Sequence, residues 1–76
     1  MATDLPADAA EIARRIEARM ARARVSRRDL ASRTGIPFAT LDRKLDAVQE
    51  LTFAELHAIS ACLGTNPSAF IPSAQP

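Results

Sequence analysis

Residues 25–46 read VSRRDLASRTGIPFATLDRKLD, and the punctuation of this stretch decides the fold. Ser26 caps a first helix, and Asp29, three residues on, sets a carboxylate beside the free N–H groups at its positive end. Leu30 and Ala31 supply the inward face. Gly35 falls where a helix stop requires a residue at positive φ. Ile36 is a plug between two helices, and Pro37 forbids simple continuation of the first. A second helix begins at Phe38, with Leu41 and Leu45 one turn apart and facing inward. Ala39, Thr40, Arg43 and Lys44 are left for its outer face. A helix, a glycine corner and a second helix with a polar, basic outer face make a helix-turn-helix.

Length and composition agree with a helical domain. Seventy-six residues suffice for one domain, which buries roughly 60 % of its unfolded surface and so has a small core. The chain is 47 % apolar but only 4 % aromatic, and two glycines leave little material for hairpin turns. An all-α fold follows. The single cysteine, Cys62, cannot form an internal disulfide, and with the single His57 it matches no metal-ligand spacing. No apolar run approaches the ~20 residues of a membrane span, and residues 1–10 are polar and acidic, unlike a signal peptide. The expectation is a soluble, intracellular chain with no metal, no cofactor, no membrane partner and no small-molecule substrate.

The net charge of +1 conceals a segregation. All ten basic residues lie between Arg14 and Lys44, where only Glu17, Asp29 and Asp42 oppose them, a net of +7. Residues 1–13 and 45–76 carry three acids each and no base. A basic block centred on a helix-turn-helix suits a polyanion.

The rest of the chain supports this unit. Residues 1–5 are expected to be loose, with Thr3 or Asp4 capping a helix that Pro6 enters in its first turn. Ile12, Ile16 and Met20 then form one apolar stripe, continuing to about Arg24. Arg14, Arg15, Arg19 and Arg22 occupy the other faces, mostly as solvated surface, with one or two in reach of a DNA backbone. Val25 packs beneath the helix-turn-helix. After a short connection, 47–51, with Leu51 turned inward, Thr52 and Glu55 form a capping box. It opens a helix whose main buried face is Phe53, Leu56, Ile59 and Leu63. Gly64 ends that helix, and Asn66-Pro67 restarts a short turn that returns Phe70 and Ile71 to the core. The folded domain is thus 6–71, with a flexible tail over 72–76.

In order and spacing, VSRRDLASRTGI, then TLDRKL, then LTFAELHAISACLGTNPSAFI resemble the lambda-repressor-like helix-turn-helix family, the Cro/CI or XRE type. The resemblance runs from about Ile12 to Ile71. It implies a compact bundle of four to five helices in which the second and third bind DNA, and it implies a regulator, often a phage repressor that binds its operator as a dimer. Two features depart from the family's usual pattern. Pro37-Phe38-Ala39 stands where a polar residue is common, and Leu41 and Leu45 are four apart where a spacing of three is usual.

A helix of this kind enters the major groove and presents its N-terminal residues to base edges. Arg43 is the expected specific reader, its planar fork matching guanine O6 and N7. Phe38, Ala39, Thr40 and Lys44 complete the base-reading set, with Thr40 and Lys44 equally able to meet a phosphate. Phe38 either meets a thymine methyl or packs against Pro37 and Ile36, and the sequence leaves both open. Ser26, Arg27, Arg28 and Arg33 are expected on the phosphate backbone. Asp42 either orients Arg43, accepts from a cytosine, or is solvated. No nucleophile–base set, paired acids or phosphate loop is present, so an enzyme is not expected. His57 reads as a half-exposed structural histidine, and Cys62 as a small apolar filler. The leading expectation is a sequence-specific double-stranded DNA-binding regulator, Cro-like and homodimeric through the apolar fourth helix and residues 66–71. The alternative is an antitoxin- or adaptor-like protein-binding module using the same exposed face.

Overall fold

The computed structural model describes residues 5–46 and 51–71. Four helices, α1 (Leu5–Ala23), α2 (Arg27–Thr34), α3 (Phe38–Leu45) and α4 (Phe53–Cys62), are followed by a 3₁₀ turn, Pro67–Phe70. No strand occurs among the described residues. Helix α1 begins at Leu5, so Pro6 holds its second position and Leu5, expected to be loose, is helical. The expected caps at Thr3 and Asp4, most of the 47–51 connection and the tail after Ile71 lie outside the described residues.

Apolar spacing accounts for the packing. Ile16 and Met20 on α1, Leu30 and Ala31 on α2, and Leu41 and Leu45 on α3 are buried with Leu56 and Ile59 of α4. Val25, Ile36, Leu63 and Phe70, from the connections and the final turn, complete this one cluster, and Ile12, Leu51, Cys62 and Ile71 pack against its margin. Helix α2 lies against α3 and α4, whereas α1 bridges α3 and the 3₁₀ turn. The buried Ser60 hydroxyl donates to the His57 carbonyl at 3.0 Å, so it leaves no polar group unpaired.

Two expectations about the second half need correction. Phe53 is 68 % exposed. As the first residue of α4 it stands to one side of the stripe Leu56, Ile59 and Leu63, and its ring lies beside His57, which is itself exposed (centroids 6.4 Å apart). Leu56 in the same turn is buried and Glu55 meets Lys44, so the first turn of α4 is packed on its other sides while Phe53 points to solvent. Asn66 does precede the 3₁₀ turn, but its side chain makes no capping bond. Its backbone carbonyl accepts from the Ala69 N–H at 3.0 Å instead.

The exit from α1 is the strained point among the described residues. The Val25 N–H donates to the Met20 carbonyl at 3.0 Å and the Arg24 N–H to the Ala21 carbonyl at 3.3 Å, a pattern that needs a left-handed residue between helix and loop. That residue is Arg24, at φ 59°, whereas the equivalent exits of α2 and α4 use Gly35 and Gly64. A side chain in this conformation costs about 1 kcal/mol relative to glycine. Arg24→Gly is therefore expected to raise stability by about 0.5–1 kcal/mol, seen as a higher urea midpoint at unchanged slope.

Candidate nucleic-acid interface

The corner between α2 and α3 is built by short-range bonds. The Ser26 hydroxyl accepts from the Asp29 N–H at 3.0 Å while the Asp29 carboxylate accepts from the Ser26 N–H at 3.5 Å, which fixes the start of α2. The Ser26 hydroxyl proton stays available to an acceptor such as a phosphate oxygen. At the other end the Gly35 N–H donates to the Ala31 carbonyl at 2.9 Å, with φ at 80°. The Thr34 hydroxyl donates to the Leu30 carbonyl at 2.7 Å and its oxygen accepts from the Ile36 N–H at 3.3 Å. Ile36 is thereby pinned in the core. Pro37 then starts α3 with no side-chain cap, leaving the first amide groups of that helix without a side-chain acceptor.

Leu41 and Leu45 turn inward as expected, and this sets the outer face of α3. Ala39 and Arg43 are exposed, while Phe38, Thr40, Asp42 and Lys44 are half-buried. Asp42, Arg43 and Lys44 are the charged residues of α3, and two of the three already have partners.

Lys44 is one of these. Its ammonium lies 2.7 and 2.9 Å from the two carboxylate oxygens of Glu55, and its side chain is only 11 % exposed. Expected at DNA, it instead ties α3 to the capping box of α4, where the Glu55 carboxylate also accepts from the Thr52 N–H at 2.9 Å. The cause is geometric: the spacing of four between Leu41 and Leu45 leaves Lys44 on the flank of α3 that meets the start of α4.

Asp42 is the other, and its partner is Arg27. The Arg27 guanidinium, expected on a phosphate, sits among three carboxylates drawn from two other helices and the end of α3. It donates to Glu17 at 2.7 Å, to the carboxylate of Asp42 and its backbone carbonyl (3.3 Å), and to Asp46 at 3.1 Å. Partial burial pulls its pKa down, but the bonds to Asp42, Glu17 and Asp46 outweigh that and hold it above the ordinary arginine value. Arg27 thus links α1, α2 and α3, and Asp42, its side chain still 42 % exposed, pairs with Arg27 and not with Arg43.

The remaining arginines divide by location. Arg14 and Arg15 pair with Glu11, and Arg19 donates to the Leu63 and Gly64 carbonyls at 3.4 and 3.5 Å. With Arg22 they line the flank of α1 beside Ala69 and Phe70, away from α3. Arg28, Arg33 and Arg43 are exposed and have no carboxylate partner among the described residues. The Arg28 guanidinium lies over the Phe38 ring, 4.5 Å from its centroid. Phe38 packs against the core as well, so of the two options left open for it packing is fulfilled, with the guanidinium over one face of the ring. The sequence did not single out Glu17, Asp46, Glu55 or the Arg28–Phe38 stack for this region. Their partners lie 10 to 19 residues away, beyond the reach of any local pattern.

Two helices around a left-handed glycine corner, capped at the first and uncapped at the second, define a helix-turn-helix domain. A family model described as the Cro/C1-type HTH DNA-binding domain matches residues 15–71, and the chain belongs to that family. Comparisons with curated proteins and with solved structures return no match. Among the described residues no helix is long and apolar enough to cross a membrane.

The Lys44–Glu55 pair carries a pH dependence. Burial raises the Glu55 pKa, but Lys44 and the Thr52 N–H outweigh it and hold the carboxyl below its ordinary 4.5. The folded chain then binds this proton less readily than the unfolded one, so the pair stabilises fully above that value and the gain fades as pH falls through and below it. Glu55→Gln is expected to cost about 1–2 kcal/mol at neutral pH, with urea midpoints of variant and parent converging at about pH 4 and below. Equal loss at both pH values would show that the carboxylate charge contributes nothing.

Proposed function

We propose that the chain is a sequence-specific transcriptional regulator that reads double-stranded DNA in the major groove with α3. In this reading it acts as a Cro-like repressor and a homodimer, in a bacterial or phage-infected cell. Membership of a DNA-binding family supplies the class. The observation that carries the finer reading is Arg43, the one charged side chain of α3 with no partner among the described residues, exposed on its outer face. A guanidinium there matches guanine O6 and N7, a contact worth about 1–3 kcal/mol of discrimination. Phe38, Ala39 and Thr40 are the other base-side residues. Ser26, Arg28 and Arg33 flank them as phosphate contacts, which fix register without reading sequence. Arg27 acts from behind as a positioning residue for α3, and Lys44 leaves the reading set.

Salt separates these roles, because each neutralised phosphate adds about 0.9 to the slope of log affinity against log salt. Arg33→Ala is expected to weaken all sequences alike and to lower that slope by about 0.9. Arg27→Ala weakens binding with the slope unchanged, since it meets no phosphate. Arg43→Ala relaxes discrimination at one base pair by about 1–3 kcal/mol. Fluorescence anisotropy across a salt series reads all three. Variants that bind like the parent would contradict the proposal, as would binding indifferent to salt, which is the behaviour of an apolar protein-binding face.

The homodimer rests on α4. Its outer side carries Phe53, 68 % exposed, with His57 and Ala54 beside it, an apolar surface that a second copy covers. Phe53→Asp is expected to give a folded monomer in sedimentation equilibrium. A dimer of unchanged strength would remove α4 from the interface.

A further inference from the structure

Pro37, Phe38 and Ala39 open α3 without one side chain able to donate or accept a hydrogen bond. The side chains at these three positions cannot read a base edge by hydrogen bonding, and Thr40 is the first on α3 that can. In the major groove the four bases offer such a surface a single apolar feature, the 5-methyl group of thymine. Over an apolar surface the exposed donors and acceptors of the other bases lose water without replacement.

The Phe38 ring is held from two sides. Inside, it packs against the buried cluster of Leu41, Leu45 and their neighbours. Outside, the Arg28 guanidinium covers it at 4.5 Å, and Arg28 is exposed with no carboxylate partner among the described residues. A guanidinium stacked this way keeps the donors along its edge free while fixing the ring beneath. The donors face a polyanion when DNA is bound, so the same side chain that clamps the ring can hold the phosphate next to the base the ring touches.

We propose that Phe38 and Ala39 form a reading surface for the 5-methyl group of a pyrimidine, and that Arg28 is the positioning residue that holds the ring against it. This rests on the DNA-binding reading above. The recognised feature is the methyl group and not the base that bears it. Thymine and 5-methylcytosine are therefore accepted alike, and uracil and cytosine are rejected alike, although the exocyclic group at position 4 is an acceptor in thymine and uracil and a donor in the cytosines. The same surface makes binding responsive to cytosine methylation.

The test begins with enrichment of a randomised pool of duplexes on the full chain. The strongest duplex is then resynthesised with thymine, uracil, 5-methylcytosine or cytosine at each thymine the selection fixes. At one such position uracil or cytosine is expected to weaken binding about fourfold, the worth of one buried methyl group of about 0.8 kcal/mol, and 5-methylcytosine to restore it. Arg28→Gln, at an exposed position, is expected to weaken the thymine duplex and to shrink the thymine-to-uracil ratio towards one. A plain phosphate contact would weaken both duplexes by one factor, and that result overturns the role of Arg28. Equal affinity for thymine and uracil duplexes, or a selected site with no fixed thymine, overturns the methyl reading while leaving DNA binding intact. A pool from which no sequence is enriched overturns the sequence-specific reading itself, and this inference with it.

Discussion

One guanidinium organises the helix-turn-helix. Arg27 stands at the start of α2 and gathers Glu17 of α1 with Asp42 of α3 and Asp46 at that helix's end. A recognition helix that carried two free carboxylates towards a phosphate backbone would be repelled by it. Paired with Arg27, those carboxylates instead hold the helix at a fixed angle to its neighbours. The pairing is half-buried, with the Arg27 side chain 27 % exposed, so water and salt weaken it less than an open surface pair. Its benefit is positional. A recognition helix displaced by an ångström loses its base contacts, and α3, at eight residues, is too short to hold its shape without tertiary support.

Internal pairing also thins the positive block. Ten basic residues suggest a broad electrostatic footprint. Internal partners take Arg14, Arg15, Arg19, Arg27 and Lys44. Arg28, Arg33 and Arg43 remain on the helix-turn-helix, one at the start of α2, one at its end and one on α3. That arrangement places exposed positive charge at both ends of α2 and on α3, while the first two residues of α3 are apolar. In the proposed DNA-binding role, affinity and selectivity are drawn from different side chains.

Most of the fold was legible in the sequence because it rests on local chemistry. Ser26 with Asp29 and Thr52 with Glu55 form the capping boxes their spacing announces, and Gly35 takes the left-handed turn its position demands. Leu30, Leu41, Leu45, Leu56 and Ile59 are buried as their periodicity requires. The candidate site was legible in outline only. Arg43 and Ala39 face outward as their helical phase dictates, but Lys44 and Arg27 are claimed by Glu55 and by Glu17, Asp42 and Asp46. Those claims depend on how helices pack, and no spacing rule encodes them. Phe53 failed for a related reason: helical phase places it near the buried stripe, yet burial also needs an element to cover it. Arg24 had no signal at all, since arginine is an uncommon choice for a left-handed exit.

The central claim is that α3, held by Arg27, is the surface that meets DNA. Amide chemical shifts of the ¹⁵N-labelled chain, followed while a selected duplex is added, test it most directly. The account predicts that the largest changes fall on Ser26–Arg28 and Phe38–Arg43, with α4 little affected beyond its start. Changes concentrated on Phe53, His57 and the rest of α4, with α3 silent, would contradict it.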